Sequence, residues 1–210
     1  MSLLDPGIYR EVAPLAQRMV GLDPATLVRL RHRDHRLTAL VRTPFAVLAA
    51  RAITVPSSAH TDVTVRGDEL LAWLDGGQQP QPRDADWHWG LPPERGWQRL
   101  EQVPDEVVRG LVRSGALALK EAAEREGVPG AQPRAEVADA LLDSVVLTVS
   151  GATALQAAVT LRTVSALTRL GFLARGSHAA VDVAGRWVRV AGSYGSVFAE
   201  TAPLGLGILR

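Results

Sequence analysis

The stretch LVRLRHRDHRLTALV, Leu27–Val41, decides how the chain is read. Its apolar and polar residues alternate on both sides of Arg33-Asp34, the pattern of strands with one buried face. The alternation predicts two strands folded about Arg33-Asp34, with a charged, solvated hairpin tip. His32-Arg33-Asp34 matches the letters of a protein-kinase catalytic loop. That loop needs an Asn five residues past its Asp, where this chain has Ala39, and the chain holds no Asn, no Asp-Phe-Gly and no glycine-rich loop upstream. Kinase chemistry is excluded. His32 and His35 could share a metal from a helix, but a hairpin separates them and four neighbouring arginines repel a cation.

The residues around this stretch are those of a globular chain. Of the 210 residues 47% are hydrophobic and 21% are charged, with a net charge of +1. That composition allows a sizeable core, in one domain or two small ones. Lys120 is the only lysine beside 22 arginines, a bias of high-GC bacterial codons rather than of anion recognition. With no cysteine there is no disulfide, thiolate nucleophile or Cys-based metal site. MSLLDPGIYREVAP lacks the cationic and apolar regions of a signal peptide, and no apolar run is long enough to span a bilayer, so a cytoplasmic protein is expected.

Charge is blocked along the chain. Residues 24–60 hold six Arg against Asp34, residues 84–143 hold twelve acids against six Arg and Lys120, and residues 144–210 hold six Arg against two acids. Blocks of opposite sign can complement one another within a fold or across a dimer. A basic ribbon at Arg29–Arg36 could touch phosphates, but near-neutral total charge and the lack of interleaved aromatics argue against a nucleic-acid partner.

Ile8, Val12, Leu15, Ala16 and Met19 recur at helical spacing and predict one first helix, ended by Gly21 and Pro24. Phe45–Val55 fits a buried strand, and Asp62–Arg66 a further strand feeding a short helix that stops at Gly76-Gly77. A loop then runs to about Val103. Pro104 suits a first helical position, followed by a helix to Gly127 whose apolar stripe is Val108, Leu111, Val112, Gly115, Leu119 and Ala122. A second helix after Pro133, strands at SVVLTVS and AAVTL, a helix over Thr163–Leu170, a hairpin turning at Ala184-Gly185 and a last strand at GSVFAE complete the chain. VTVRGDELLAWLD (Val63–Asp75) aligns without gaps to VTLRTVSALTRLG (Val159–Gly171). The expected fold is therefore α+β, mostly antiparallel, with two β-rich halves around a helical middle. The halves read either as a pseudo-two-fold repeat or as two strand–helix units that merely look alike. The domain division expected is 1–103 and 104–210.

Three of the five tryptophans fall in DWHWGLPPERGW, a loop rich in Pro, Gly and Asp. Trp87 and Trp89 bracket His88 at i, i+2, so an extended backbone puts both indoles on one side. Large rings seldom stay exposed, so the first expectation is that Trp87, Trp89 and Trp97 fasten the linker to the first β-half, with Trp97 entering the helical section. The functional alternative is a ligand or partner surface made by Trp87, His88, Trp89, Arg95 and Trp97. No catalytic residue, metal ligand or cofactor site is predicted: GSYGS lacks the G-x-S-x-G spacing, and GVPG and LGLG lack the spacing of phosphate loops.

GVPGAQPRAEVADALLDSVVLTV, VSALTRLGFLARG and VDVAGRWVRVAGSYGSVFAE resemble a conserved, uncharacterised protein family of actinobacteria, over roughly residues 85–200. The resemblance implies no activity, cofactor or catalytic residue. Two functions remain: a non-enzymatic interaction module, self-associating or bound to a protein partner, or a small-ligand binder or enzyme with a pocket between the β-rich halves near Trp87–Trp97.

Overall fold

A computed structural model describes residues 6–125, 131–151 and 155–200, and divides the chain into two compact units, Met1–Leu91 and Pro92–Arg210. The fold is α+β, and every strand pair described within the units is antiparallel.

The first unit contains α1 (Pro6–Tyr9), α2 (Ala13–Val20), β1 (Leu27–Arg42), β2 (Leu48–Arg66) and α3 (Gly67–Leu74). The first helix of the sequence reading is thus interrupted between Tyr9 and Ala13, and Pro14 stands in the first turn of α2, where a missing N–H costs nothing. Val12, Leu15, Ala16 and Met19 of the expected apolar face are buried, but across the break Tyr9 takes the core position and Ile8 is only half-buried. The Tyr9 ring meets Trp73 of α3 at a tilt, 5.6 Å between centres, and α2 packs on α3.

Leu27–Arg42 is one strand, not a hairpin. Asp34 adopts φ 53°, a left-handed conformation that Asp tolerates, and the register with β2 shifts between Asp34 and Arg36. The result is a β-bulge, which inverts the side-chain alternation without reversing the chain. Val28, Leu30 and His32 are buried before it, Leu37, Ala39 and Val41 after it. The true turn lies at Thr43–Val47, where Ala46 has φ 56° and the Thr43 N–H donates to the Val47 carbonyl at 2.9 Å. Of the expected strand Phe45–Val55, the first three residues lie in this turn; the rest and the expected strand Asp62–Arg66 are parts of the single strand β2.

The second unit contains β3 (Gln98–Pro104), α4 (Asp105–Arg125), α5 (Ala131–Leu142), β4 (Val145–Ser150), β5 (Gln156–Thr160), α6 (Leu161–Arg169), β6 (His178–Ala184), β7 (Trp187–Ala191) and β8 (Ser196–Glu200). The end of the expected loop is a strand: β3 pairs with β6, so Gln98–Val103 belong with the second unit, and Pro104 closes β3 rather than opening α4. β6, β7 and β8 follow as a meander, with Gly185-Arg186 as the two-residue turn between Ala184 and Trp187. The hairpin β4–β5 stands before α6. Gly115 lets α4 approach α6 closely, since a Cβ there would lie 2.5 Å from Leu161 Cδ2. In the predicted α4 stripe Val108 is buried, Leu111, Val112 and Gly115 are half-buried and Leu119 is exposed, while the Ala122 side chain lies outside the described residues.

Each unit repeats one order of elements. In the first, α2, a hairpin and α3 succeed one another, with α2 on α3; in the second, α4 and α5, a hairpin and α6, with both earlier helices on α6. The aligned segments Val63–Asp75 and Val159–Gly171 hold the strand-to-helix step of each.

Candidate functional site

The loop after α3 returns to β2 through two backbone anchors. The Arg83 N–H donates to the Thr64 carbonyl at 2.7 Å, and the Asp84 carboxylate accepts the Thr64 N–H at 2.6 Å. A short 3-10 turn, Asp84–Asp86, then delivers Trp87. Trp87 is buried, donates its indole N–H to the Trp89 carbonyl at 2.9 Å, and meets the Trp89 ring edge-on at 5.1 Å.

Two arginines of β1 hold this pair. The Arg29 guanidinium lies 5.8 Å from the Trp87 ring and that of Arg42 lies 5.7 Å from the Trp89 ring. A straight strand would separate residues 29 and 42 by roughly 43 Å, far more than two adjacent indoles can bridge. β1 is therefore bent, and the bulge at Asp34–Arg36 is the place for the bend. Arg29, Arg31 and Arg33, spaced i, i+2 on one side of the strand, all turn to the Asp62 carboxylate of β2, at 2.7, 3.3 and 3.5 Å. Three of the six arginines of the basic block read from the sequence thus share one carboxylate inside the unit.

The second unit repeats this chemistry with other residues. Asp182 on β6, 1% exposed, accepts Arg99 of β3 at 2.6 Å and Arg189 of β7 at 2.9 Å, both its cross-strand register partners. Trp97, half-buried just before β3, covers the Arg189 guanidinium at 4.5 Å, touches Phe198 at 5.6 Å, and donates its N–H to the Pro93 carbonyl at 2.9 Å. It does not enter the helical section. One loop therefore supplies an indole to an Arg–Asp cluster in each unit.

Of the five residues singled out, Trp87 is buried, Trp89 and Trp97 are half-buried, and His88 and Arg95 are exposed with no hydrogen bond or ion pair among the described residues. The sequence reading missed their partners, Arg29, Arg42, Asp62, Asp182 and Arg189. The i, i+2 arginines of β1 carried the signal, but a hairpin tip was read over them. His32 is wholly buried, while the His35 ring lies 3.3 Å from the Val55 carbonyl. Among the described residues no three His, Cys, Asp or Glu gather to hold a metal, and no helix is long and apolar enough to cross a membrane.

Comparison with solved structures shows the same fold in DNA polymerase sliding clamps. The DNA polymerase III subunit beta from Pseudomonas aeruginosa aligns with TM-score 0.58 and 10% identity over 92% of this chain and 63% of its own. A sliding clamp from the same organism aligns with TM-score 0.56 at the same identity and coverage. The sliding clamp from Caulobacter crescentus aligns with TM-score 0.55 and 12% identity over 99% of this chain and 68% of its own. The chain thus spans about 63% of the length of the Pseudomonas clamps. No curated protein matches the sequence. Two family models meet at the boundary of the units: residues 1–92 match a domain of unknown function (DUF8010) and residues 92–204 another (DUF8185). The latter covers more than half of the sequence, and the chain belongs to that family, domain of unknown function DUF8185.

Proposed function

We propose that this chain is a non-enzymatic, self-associating protein-interaction module of the actinobacterial cytoplasm. The observation that carries the reading is the sliding-clamp fold, matched over 92% of the chain by a protein described as a polymerase subunit. Two features of the chain support it. Among the described residues β3 is hydrogen-bonded on one side only, by β6, and β1 on one side only, by β2, so each unit ends in a strand edge that another chain can extend. The half-buried rings of Trp89 and Trp97, with exposed His88 and Arg95, offer contact groups, and Trp87 backs the Trp89 ring.

Nucleic acid stays outside the proposal. Three of the four arginines of the Arg29–Arg36 ribbon that could meet phosphates turn instead to Asp62, which leaves Arg36 alone exposed there. Sedimentation equilibrium of the full chain across micromolar concentrations tests the reading. A reversible dimer or larger assembly is expected, weakened by His88→Ala plus Arg95→Ala without loss of melting temperature. A strict monomer throughout the range would sink self-association. Duplex DNA bound tightly at physiological salt would overturn the exclusion of nucleic acid.

A further inference from the structure

A groove runs over the first unit where α1 and α2 meet the end of α3. Its larger part is an open depression of about 570 Å³, and a smaller, more enclosed recess of about 170 Å³ adjoins it through the shared residues Arg10, Leu74 and Asp75. Pro14 and Leu71 line the recess, and Trp73 lines the larger part. The wall is firm, because Trp73 is 9% exposed and its ring packs at a tilt against the buried Tyr9.

The charges of the groove are separated. One Arg10 nitrogen donates to the Leu74 carbonyl at 3.0 Å, which fixes the guanidinium over the end of α3. Its planar fork has further N–H groups to offer. Asp75, at the C-cap of α3, is exposed, and among the described residues its carboxylate forms no ion pair, with Arg10 or any other group. The carbonyls of Leu71, Ala72 and Trp73 are satisfied by the backbone N–H groups of Asp75, Gly76 and Gly77. Asp75 also stands at the negative end of the helix dipole, which favours a cation beside it.

We infer that this groove binds a small zwitterion, an α-amino acid or a short peptide, with Arg10 on its carboxylate, Asp75 on its ammonium and an apolar side chain against Leu71, Leu74 and Trp73. A guanidinium and a carboxylate on one apolar wall, held apart rather than paired, are complementary to a ligand carrying both charges and hostile to a singly charged one. The inference does not depend on self-association.

The test is titration of the full chain with L-leucine, Leu-Leu, N-acetyl-leucine and leucine amide, followed by calorimetry and by the Trp73 indole N–H resonance. Saturable binding of leucine or the dipeptide is expected, weakened about tenfold or more when either charge of the ligand is blocked. The tighter of the two tells a free amino acid from a peptide. Asp75→Asn should weaken leucine but not N-acetyl-leucine, whereas Arg10→Lys should weaken leucine but not leucine amide. This crossed pattern also separates binding from any loss of fold, for which melting temperature is the control. No saturable binding, or equal affinity for blocked and unblocked ligands, overturns the proposal.

Discussion

Trp87 and Trp89 meet edge to face, ring centres 5.1 Å apart and planes at 87°, with the indole N–H of the first bonded to the carbonyl of the second. Their burial differs, so their energetic weight differs too. Trp87→Ala removes a buried ring and the cover of Arg29, and should cost about 3–5 kcal/mol. Trp89→Ala removes a half-buried ring and should cost less, about 1–2 kcal/mol. Chemical denaturation of both variants decides. A Trp87→Ala protein as stable as the parent would mean that the loop is not fastened through this ring.

Asp182 holds two arginines from neighbouring strands while almost fully buried. Asp182→Asn leaves Arg189, 23% exposed, without its counter-charge inside the sheet. The expected loss is about 2–3 kcal/mol, moderated because Arg99 is half-exposed and can turn to water. Asp182→Asn combined with Arg189→Met should recover part of it. No recovery in the double variant would show that the pair is not the source of the loss.

The acid limb of stability should depend on Asp105. Its carboxyl is held below the usual carboxylate range first by the Arg109 guanidinium at 3.1 Å and then by the Gly176 N–H at 3.1 Å, against the opposing effect of burial. A depressed folded-state value means that this stabilisation is complete above the ordinary carboxylate range, about pH 4, and is lost as pH falls through the lower folded value. Melting temperatures between neutral pH and pH 3 should therefore fall less steeply for Asp105→Asn than for the parent. Parallel curves would rule out this carboxylate as a contributor.

Two glycines should respond in opposite senses. A Cβ at Gly192 would run into the Phe172 carbonyl, a backbone group that cannot step aside, so Gly192→Ala should cost about 1–3 kcal/mol or more. Gly110 lies within α4, where the nearest atom to an added Cβ is an Arg113 nitrogen at 3.9 Å. Gly110→Ala should stabilise by about 0.5–1 kcal/mol through helix propensity. Paired thermal melts of the two variants check both signs.

The second half of the chain was the more legible. SVVLTVS, AAVTL and the Ala179–Gly192 hairpin carry short alternating runs between turn residues, and these became β4, β5, β6 and β7 within a residue or two. Leu27–Val41 reads as a hairpin because Arg33-Asp34 has the composition of a turn, and Asp34 does take the left-handed conformation of one. What the sequence also holds is a change of parity, from Val28, Leu30 and His32 to Leu37, Ala39 and Val41. That change is the mark of a bulge in a continuing strand, where the register against β2 slips. The real reversal, at Ala46, uses a left-handed alanine and announces itself only by Pro44. Of the three loop tryptophans expected on the first β-half, Trp87 and Trp89 lie against β1, whereas Trp97 lies against β7 and β8 of the second unit; the arginines they meet are not legible in the loop itself. They come from strands remote in sequence, and only the folded register brings Arg29, Arg42 and Arg189 to the indoles.

The placing of the indoles gives the molecule two distinct optical signatures. Trp87 and Trp89 are near enough, and steeply enough crossed, for their transitions to couple, and a coupled pair yields a signed doublet in the far-ultraviolet circular dichroism. Trp97 rests against Phe198 and a guanidinium, with no indole among the aromatic partners described, and contributes no such doublet. The doublet therefore belongs to the first unit. Its disappearance during denaturation, compared with loss of backbone ellipticity, reports whether that unit lets go before the rest of the chain.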